Sequence, residues 1–275
     1  MYDAKDKVFL ITGGAAGIGA GVVKAFLEDG AKHIAILDVD AKNGTTLESE
    51  LTAKYGAGKA KFYKCDITTN ELMDTYDAVL KQFGYIDVVI NCAGILNDHP
   101  NVYLKAIAVN MTALITSSLR AYEIMRKDRG GKGGTIVNIS SIASLFQGPF
   151  IPVYHATKSA VLQFSNCLGM EPTYSRTGVR VITLCFGCTD TSLLTTNKAD
   201  TYDPELRQPF FDSLDDLPPQ TTENAVRGLV DAYKQGASAS TWLASGNKPV
   251  VDITANVEEA FTILGKGILD YIPPE

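Results

Sequence analysis

Short apolar, β-rich runs alternate along this chain with longer stretches of helical spacing. The runs that predict strands are Val8–Thr12, His33–Asp38, 60–66, 87–91, 135–140 and Val179–Phe186, with a last one at 241–244 around Trp242. Several are almost continuously apolar, the pattern of strands buried on both faces. Helical spacing covers Gly17–Glu28, 69–83, 102–126 and 153–169 between them. Strands separated in this way by helices imply an α/β fold: a doubly wound parallel sheet with helices on both faces, joined by right-handed crossovers. No internal repeat or low-complexity linker divides the chain, so one domain over 1–275 is expected. Two segments break the rhythm. Gly130-Gly131-Lys132-Gly133-Gly134 reads as a flexible turn before a strand. Residues 189–220 hold Pro204, Pro209, Pro218 and Pro219 with little periodicity, and an excursion of that length is expected to cover a site.

Composition narrows the class. Apolar residues make up 45% and charged residues 20%, as in a soluble globular enzyme. A net charge of −6 gives no attraction to a nucleic-acid backbone or an anionic membrane, so neither is an expected partner. No apolar run approaches the roughly 18 residues of a membrane span. The charged start, Met1 to Lys7, lacks the apolar core of a signal peptide, and the expected compartment is the cytoplasm. There the five cysteines are expected as free thiols. Asn43-Gly44-Thr45, Asn110-Met111-Thr112 and Asn138-Ile139-Ser140 match the glycosylation tripeptide by coincidence on this reading. His33, His99 and His155 are too scattered for a metal triad, and no metal is expected. Asp212, Asp215 and Asp216 read as a solvated edge of the excursion.

The first strand runs into Thr12-Gly13-Gly14-Ala15-Ala16-Gly17-Ile18-Gly19, which opens the first helix. Glycines there let the backbone approach a pyrophosphate, and the helix N-terminus supplies N–H donors and positive potential. Glycine spacing alone is weak; strand, turn, helix and a downstream acid together are specific. That acid is Asp38, at the end of the second strand, where a carboxylate accepts from ribose hydroxyls and repels an added 2′-phosphate. Positions 14 to 16 and Val39 offer no compensating cation, so NAD rather than NADP is the expected cofactor.

The spacing Gly-x-x-x-Gly-x-Gly resembles that of the short-chain dehydrogenase/reductase superfamily, whose fold is of the Rossmann type, and the resemblance extends over nearly the whole chain. It implies that Asp66 and Ile67 contact adenine and that Asn91, Ala93 and Gly94 form the sheet motif beside the cofactor, with Cys92 in place of an asparagine. It implies that Asn110 belongs to the catalytic set through a water relay. It further implies that Gly187, Cys188, Thr189 and Thr191 hold the nicotinamide amide, with Phe186 in place of the family's proline. Cys185 and Cys188 also form a lone Cys-x-x-Cys, which lacks the second pair of a zinc site.

Tyr154-His155-Ala156-Thr157-Lys158 places a phenol and an ammonium one helical turn apart, on one face. Tyr55 and Lys59 repeat the spacing around Gly56-Ala57-Gly58, where no helix should continue, so context and not the motif selects Tyr154 and Lys158. In the family the catalytic serine stands 13 positions before the tyrosine, which selects Ser141 over Ser140. A phenol with a reference pKa near 10 is a poor base at neutral pH. The Lys158 ammonium and the positive nicotinamide should lower it. Tyr154 would then exchange a proton with an alcohol or ketone oxygen that Ser141 positions, while Lys158 also holds the nicotinamide ribose.

Residues 93–99, 107–110 and Pro152-Val153-Tyr154 resemble insect alcohol dehydrogenases and, for the last, the 15-hydroxyprostaglandin dehydrogenases. The latter carry a glutamine where Ile151 stands, and an aliphatic side chain cannot supply its hydrogen bond. Leu96, Phe146, Phe150, Ile151, Phe186, Leu193 and Leu194 are the expected apolar walls for a lipophilic or small secondary alcohol. The alternatives are a prostaglandin- or steroid-type dehydrogenase, an NADP-preferring carbonyl reductase, which Asp38 opposes, and a non-catalytic nucleotide-binding or storage homologue. Analogy with the family implies a homodimer or homotetramer.

Overall fold

The computed structural model describes residues 1–268; the remainder of the expected 1–275 domain lies outside the described residues. In chain order the strands are β1 Val8–Thr12, β2 His33–Asp38, β3 Ala60–Lys64, β4 Val88–Asn91, β5 Gly134–Ser141, β6 Val179–Phe186, β7 Ser240–Ala244 and β8 Val251–Asp252. The helices are α1 Gly17–Glu28, α2 Ala41–Tyr55, α3 Glu71–Phe83, α4 Tyr103–Ile107, α5 Leu114–Met125, α6 Pro152–Gly169, α7 Thr173–Thr177, α8 Arg207–Leu214, α9 Thr222–Gln235 and α10 Thr254–Leu264. One sheet has the order β3-β2-β1-β4-β5-β6-β7-β8. The pairs from β3 to β7 are parallel, and β7–β8 is antiparallel. The strand order reverses between β1 and β4, and the carboxyl ends flanking that point form the crevice where ligands bind in open α/β sheets.

Every residue of β1, β4 and β6 is buried, as their unbroken apolar runs require. Two apolar cores sandwich the sheet. Phe9, Phe26, Ile36, Val137 and Leu229 belong to the side covered by α1 and α9, and Leu10, Tyr76, Val89, Ile136 and Met125 to the side covered by α3 and α5.

The structure corrects the sequence reading at several edges. The helix expected over 102–126 is α4 and α5 joined by a π-helical segment at Ala108–Ala113. β3 stops at Lys64, which leaves Cys65 and Asp66 in the following turn, where Asp66 Oδ1 accepts from Thr68 N at 3.0 Å. The antiparallel β8, α2 and α9 were not anticipated. The excursion over 189–220 does contain helix, at α8. Its two ends meet: Thr189 and Gln220 form an isolated parallel bridge, with Asp190 N donating to Gln220 O at 2.8 Å and Gln220 N to Cys188 O at 2.9 Å. Gln220 Nε2 adds a bond to Thr189 Oγ1 at 2.9 Å. No helix among the described residues is long and apolar enough to cross a membrane.

Candidate active site

A cleft of about 890 Å³ runs over the carboxyl ends of the strands. One end is the turn from β1 to α1. Gly13 takes φ +67°, and a Cβ there would lie 2.7 Å from Ala93 Cα, so the turn closes directly on the loop after β4. A Cβ at Gly19 would overlap the Gly13 carbonyl oxygen. Thr12 Oγ1 fastens the same two segments by accepting from Cys92 N at 3.1 Å and Ala93 N at 3.3 Å. Backbone therefore lines this end, with Gly13, Gly17, Ile18 and Gly19 facing the cleft. At the end of β2, Asp38 Oδ2 accepts from Ala15 N at 3.1 Å and Oδ1 from Asp40 N at 3.0 Å, which holds the carboxylate beside the turn. Val39, Asp66, Ile67, Ala93 and Gly94 complete this half. A glycine cradle ending in a fixed carboxylate fits a dinucleotide with free ribose hydroxyls.

The other half holds the titratable groups. Ser141 ends β5, and its Oγ accepts from Ala143 N at 3.2 Å and lies close enough to the Tyr154 phenol to influence its protonation. Tyr154 and Lys158 project from α6, with Lys158 Nζ 5.6 Å from the centre of the phenol ring. Lys158 Nζ also donates to Ile139 O at 3.0 Å. Burial dominates the protonation of both groups. It pushes Tyr154 up to about 12; the Ser141 hydroxyl opposes the rise and the Asp98 charge adds to it. Lys158 is brought down to about 8 by burial. The expected lowering of the phenol is thus absent in the chain alone. Losing water costs the phenolate more than its neighbours return.

Two expected site residues lie off the cleft wall. Asn91 is buried in the sheet, where its Nδ2 donates to Ser118 Oγ at 3.0 Å and Asn138 Oδ1 at 2.9 Å. Asn110 sits in the π-helical segment with its carboxamide on the Ile95 backbone, Oδ1 accepting from Ile95 N at 2.8 Å and Nδ2 donating to Ile95 O at 2.7 Å. Asn110 thereby supports the loop that carries Ala93 and Gly94, while Asn91 ties β4 to β5 and α5. Gly187, Cys188, Thr189 and Thr191 line the cleft beyond β6, and Thr191 faces Gly17 across it. Cys185 is buried, with Sγ 3.6 Å from Ser144 Oγ, while Cys188 faces the cleft. The competing Tyr55–Lys59 pair dissolves: α2 ends at Tyr55, whose phenol donates to Glu28.

All seven expected apolar wall residues line the cleft. Phe210, Leu214 and Leu217 from the excursion and Ala143 from the turn after β5 join them. The adjacent pair Phe210-Phe211 in an otherwise polar stretch was a usable signal for these. Asp98 was also missed. It is fully buried in the loop after β4, yet in sequence it is one more acid in a polar segment.

A family model described as short chain dehydrogenase matches residues 7–201. The chain belongs to that family of oxidoreductases. It is 33% identical over 189 residues to rat "15-hydroxyprostaglandin dehydrogenase [NAD(+)]", spanning 68% of this chain and 70% of that protein. It is 36% identical over 191 residues to "Alcohol dehydrogenase 1" of the fly Ceratitis cosyra, spanning 69% and 72%. Among solved structures, a 3-ketoacyl-(acyl-carrier-protein) reductase from Brucella melitensis complexed with NADH shares the fold. Its TM-score is 0.74 at 22% identity, over 89% of this chain and 98% of that one.

Proposed function

We propose that this chain oxidises a lipophilic secondary alcohol to its ketone with NAD as hydride acceptor, and runs the reverse reaction when NADH is in excess. The observation that carries the reading is the Ser141–Tyr154–Lys158 group, in which Tyr154 and Lys158 are buried and Ser141 is half-buried, set between a glycine cradle closed by Asp38 and a wall of apolar side chains. NAD, when bound, supplies the hydride-accepting ring carbon and a positive charge. Gly13, Gly17, Ile18 and Gly19 offer backbone to its pyrophosphate, Asp38 and Val39 meet the adenosine ribose, and Asp66 and Ile67 flank adenine. Ala93, Gly94, Gly187, Cys188, Thr189 and Thr191 border the nicotinamide end, and Lys158 reaches the second ribose.

Ser141 Oγ donates to the substrate oxygen and orients its carbinol carbon. Tyr154 takes the hydroxyl proton as the carbonyl forms, and gives it back in reduction. Lys158 steadies the phenolate from one turn away. Asn110 acts at a distance by anchoring Ile95 and so the floor beside Gly94. Leu96, Phe150, Ile151, Leu193, Leu194 and Phe210 favour an apolar substrate, and the absence of a donor at Ile151 weighs against prostaglandins.

The test is a panel of secondary alcohols and ketones with NAD and NADP, run beside Tyr154→Phe. Turnover with NAD that Tyr154→Phe lowers about a thousandfold is expected. Wild-type turnover that survives in Tyr154→Phe would overturn the assignment of the base. NADH binding with no turnover on any panel member would point to the non-catalytic homologue instead.

A further inference from the structure

Helix α6 carries Tyr154 and Lys158, and it begins without a cap of its own. Its N-cap residue is Ile151, which makes no side-chain bond to the first turn. Pro152 at the first helical position has no N–H, so Val153 and Tyr154 are the first donors that need partners. Both are served from far away in sequence. Asp98 Oδ2 accepts from Val153 N at 2.7 Å and Oδ1 from Tyr154 N at 3.0 Å. The carboxylate thus does what an N-cap aspartate does, while standing in the loop after β4. It has 0% exposure and forms no ion pair within 4 Å among the described residues. Two N–H donors and the positive end of an 18-residue helix are its compensation.

The cap is remote because position 151 has another use. Ile151 is buried in the apolar cluster with Leu96, Tyr154 and Phe210, on the cleft wall. A serine or aspartate there would cap the helix locally and put a polar group into that wall. The same loop also grips the excursion: Asp98 N donates to Asp200 O at 2.9 Å and Asn97 Nδ2 to Lys198 O at 2.7 Å. We propose that Asp98 is a positioning residue for Tyr154, a remote helix cap that fixes the first turn of α6 and leaves position 151 free for substrate recognition. The proposal rests on Tyr154 being the base, as proposed above.

Asp98 has an electrostatic side as well. The titratable neighbours of this corner are Lys158 and His155 on α6, Cys92 after β4 and Cys185 on β6, and Asp98 is the carboxylate whose charge acts on the phenol. That charge raises the Tyr154 pKa, so its removal lowers the acid limb of alcohol oxidation to more acidic pH.

Three variants separate the possibilities. In Asp98→Ala the amides of Val153 and Tyr154 lose both acceptors. Their hydrogen exchange, followed without cofactor, should quicken about tenfold or more, and kcat should fall about tenfold while KM for NAD stays within about twofold. Asp98→Asn keeps one acceptor and loses the charge. It should retain most of kcat and shift the acid limb downward by about half a pH unit. Should Asp98→Ala fail to fold, the exchange and pH profile of Asp98→Asn decide the matter. Wild-type exchange and a wild-type profile in the soluble variants would overturn the proposal. Tyr154→Phe in the same assay keeps the two questions apart: activity there sinks the base assignment, whereas an inactive Tyr154→Phe beside an unaltered Asp98→Ala sinks only the positioning role.

Discussion

Lys158 is the residue at which function and stability pull in opposite directions. A buried ammonium on the cleft wall with a carbonyl at 3.0 Å has exchanged most of its water for one good acceptor, and burial lowers its pKa from 10.5 to about 8. The unfolded chain therefore binds more protons than the folded one between about pH 8 and 10.5, and folding should strengthen as pH rises through that window. Below pH 8 the cost is present in full. Lys158→Met should raise the melting temperature at pH 7 by a few degrees and abolish alcohol oxidation, and its advantage over the wild type should shrink by pH 10. Thermal unfolding of both proteins at the two pH values checks this; an equal or lower melting temperature at pH 7 would show the lysine to be well compensated. That Asp38, Ser141, Tyr154 and Lys158 share one cleft was legible in the sequence: Asp38 ends a strand after the glycine turn, Tyr154 and Lys158 share a helix face, and the resemblance to the family picks out Ser141 by its spacing to Tyr154. Asp98 was not, because its partners are 55 and 56 residues away and nothing local distinguishes it from a solvated aspartate.

At the scale of elements, the turn from β1 to α1 is specified by contact rather than by composition. Gly19 lies in α1, where glycine is otherwise costly, and is required because a Cβ would strike the Gly13 carbonyl. Gly19→Ala should push the turn away from the loop after β4 and weaken NADH binding about tenfold or more, with a smaller effect on melting temperature. NADH fluorescence titration measures it, and an unchanged affinity would mean that the cradle can yield. Strand identities were readable from their apolar runs and α1 from its spacing. Three of the elements that resisted did so for separate reasons. The π-helical turn at Ala108–Ala113 inserts a wider turn into a helix whose apolar positions continue on both sides, so periodicity reads through it. Helix α2 buries only Gly44, Leu47 and Leu51 and is otherwise polar, which leaves a thin apolar stripe. Strand β8 is two exposed residues paired with β7, and it depends on its neighbour rather than on its own composition.

On the scale of the whole molecule, the sheet supplies a fixed bench and the segments beyond β5 and β6 supply what is particular to this enzyme. Topology followed from the alternation of strand and helix, while the arrangement over the cleft depended on contacts between distant segments, such as Asn97 with Asp200, that no local pattern carries. One such contact changes how the excursion should be regarded. Because Thr189 and Gln220 are paired, the chain leaves and re-enters the sheet framework at nearly the same point, and the intervening residues form a closed insert. Closing such a loop costs entropy that grows only slowly with its length. The insert can therefore be shortened, lengthened or exchanged without asking the sheet to move. Replacing residues 195–217 by a short glycine-serine linker should preserve NADH binding and cooperative unfolding, while KM for lipophilic alcohols rises about tenfold; loss of NADH binding would show that the insert also shapes the cofactor site. Read this way, the chain is an interchangeable-head tool: one handle for the nucleotide, and a detachable jaw through which a lineage of such enzymes could change substrates while leaving its chemistry untouched.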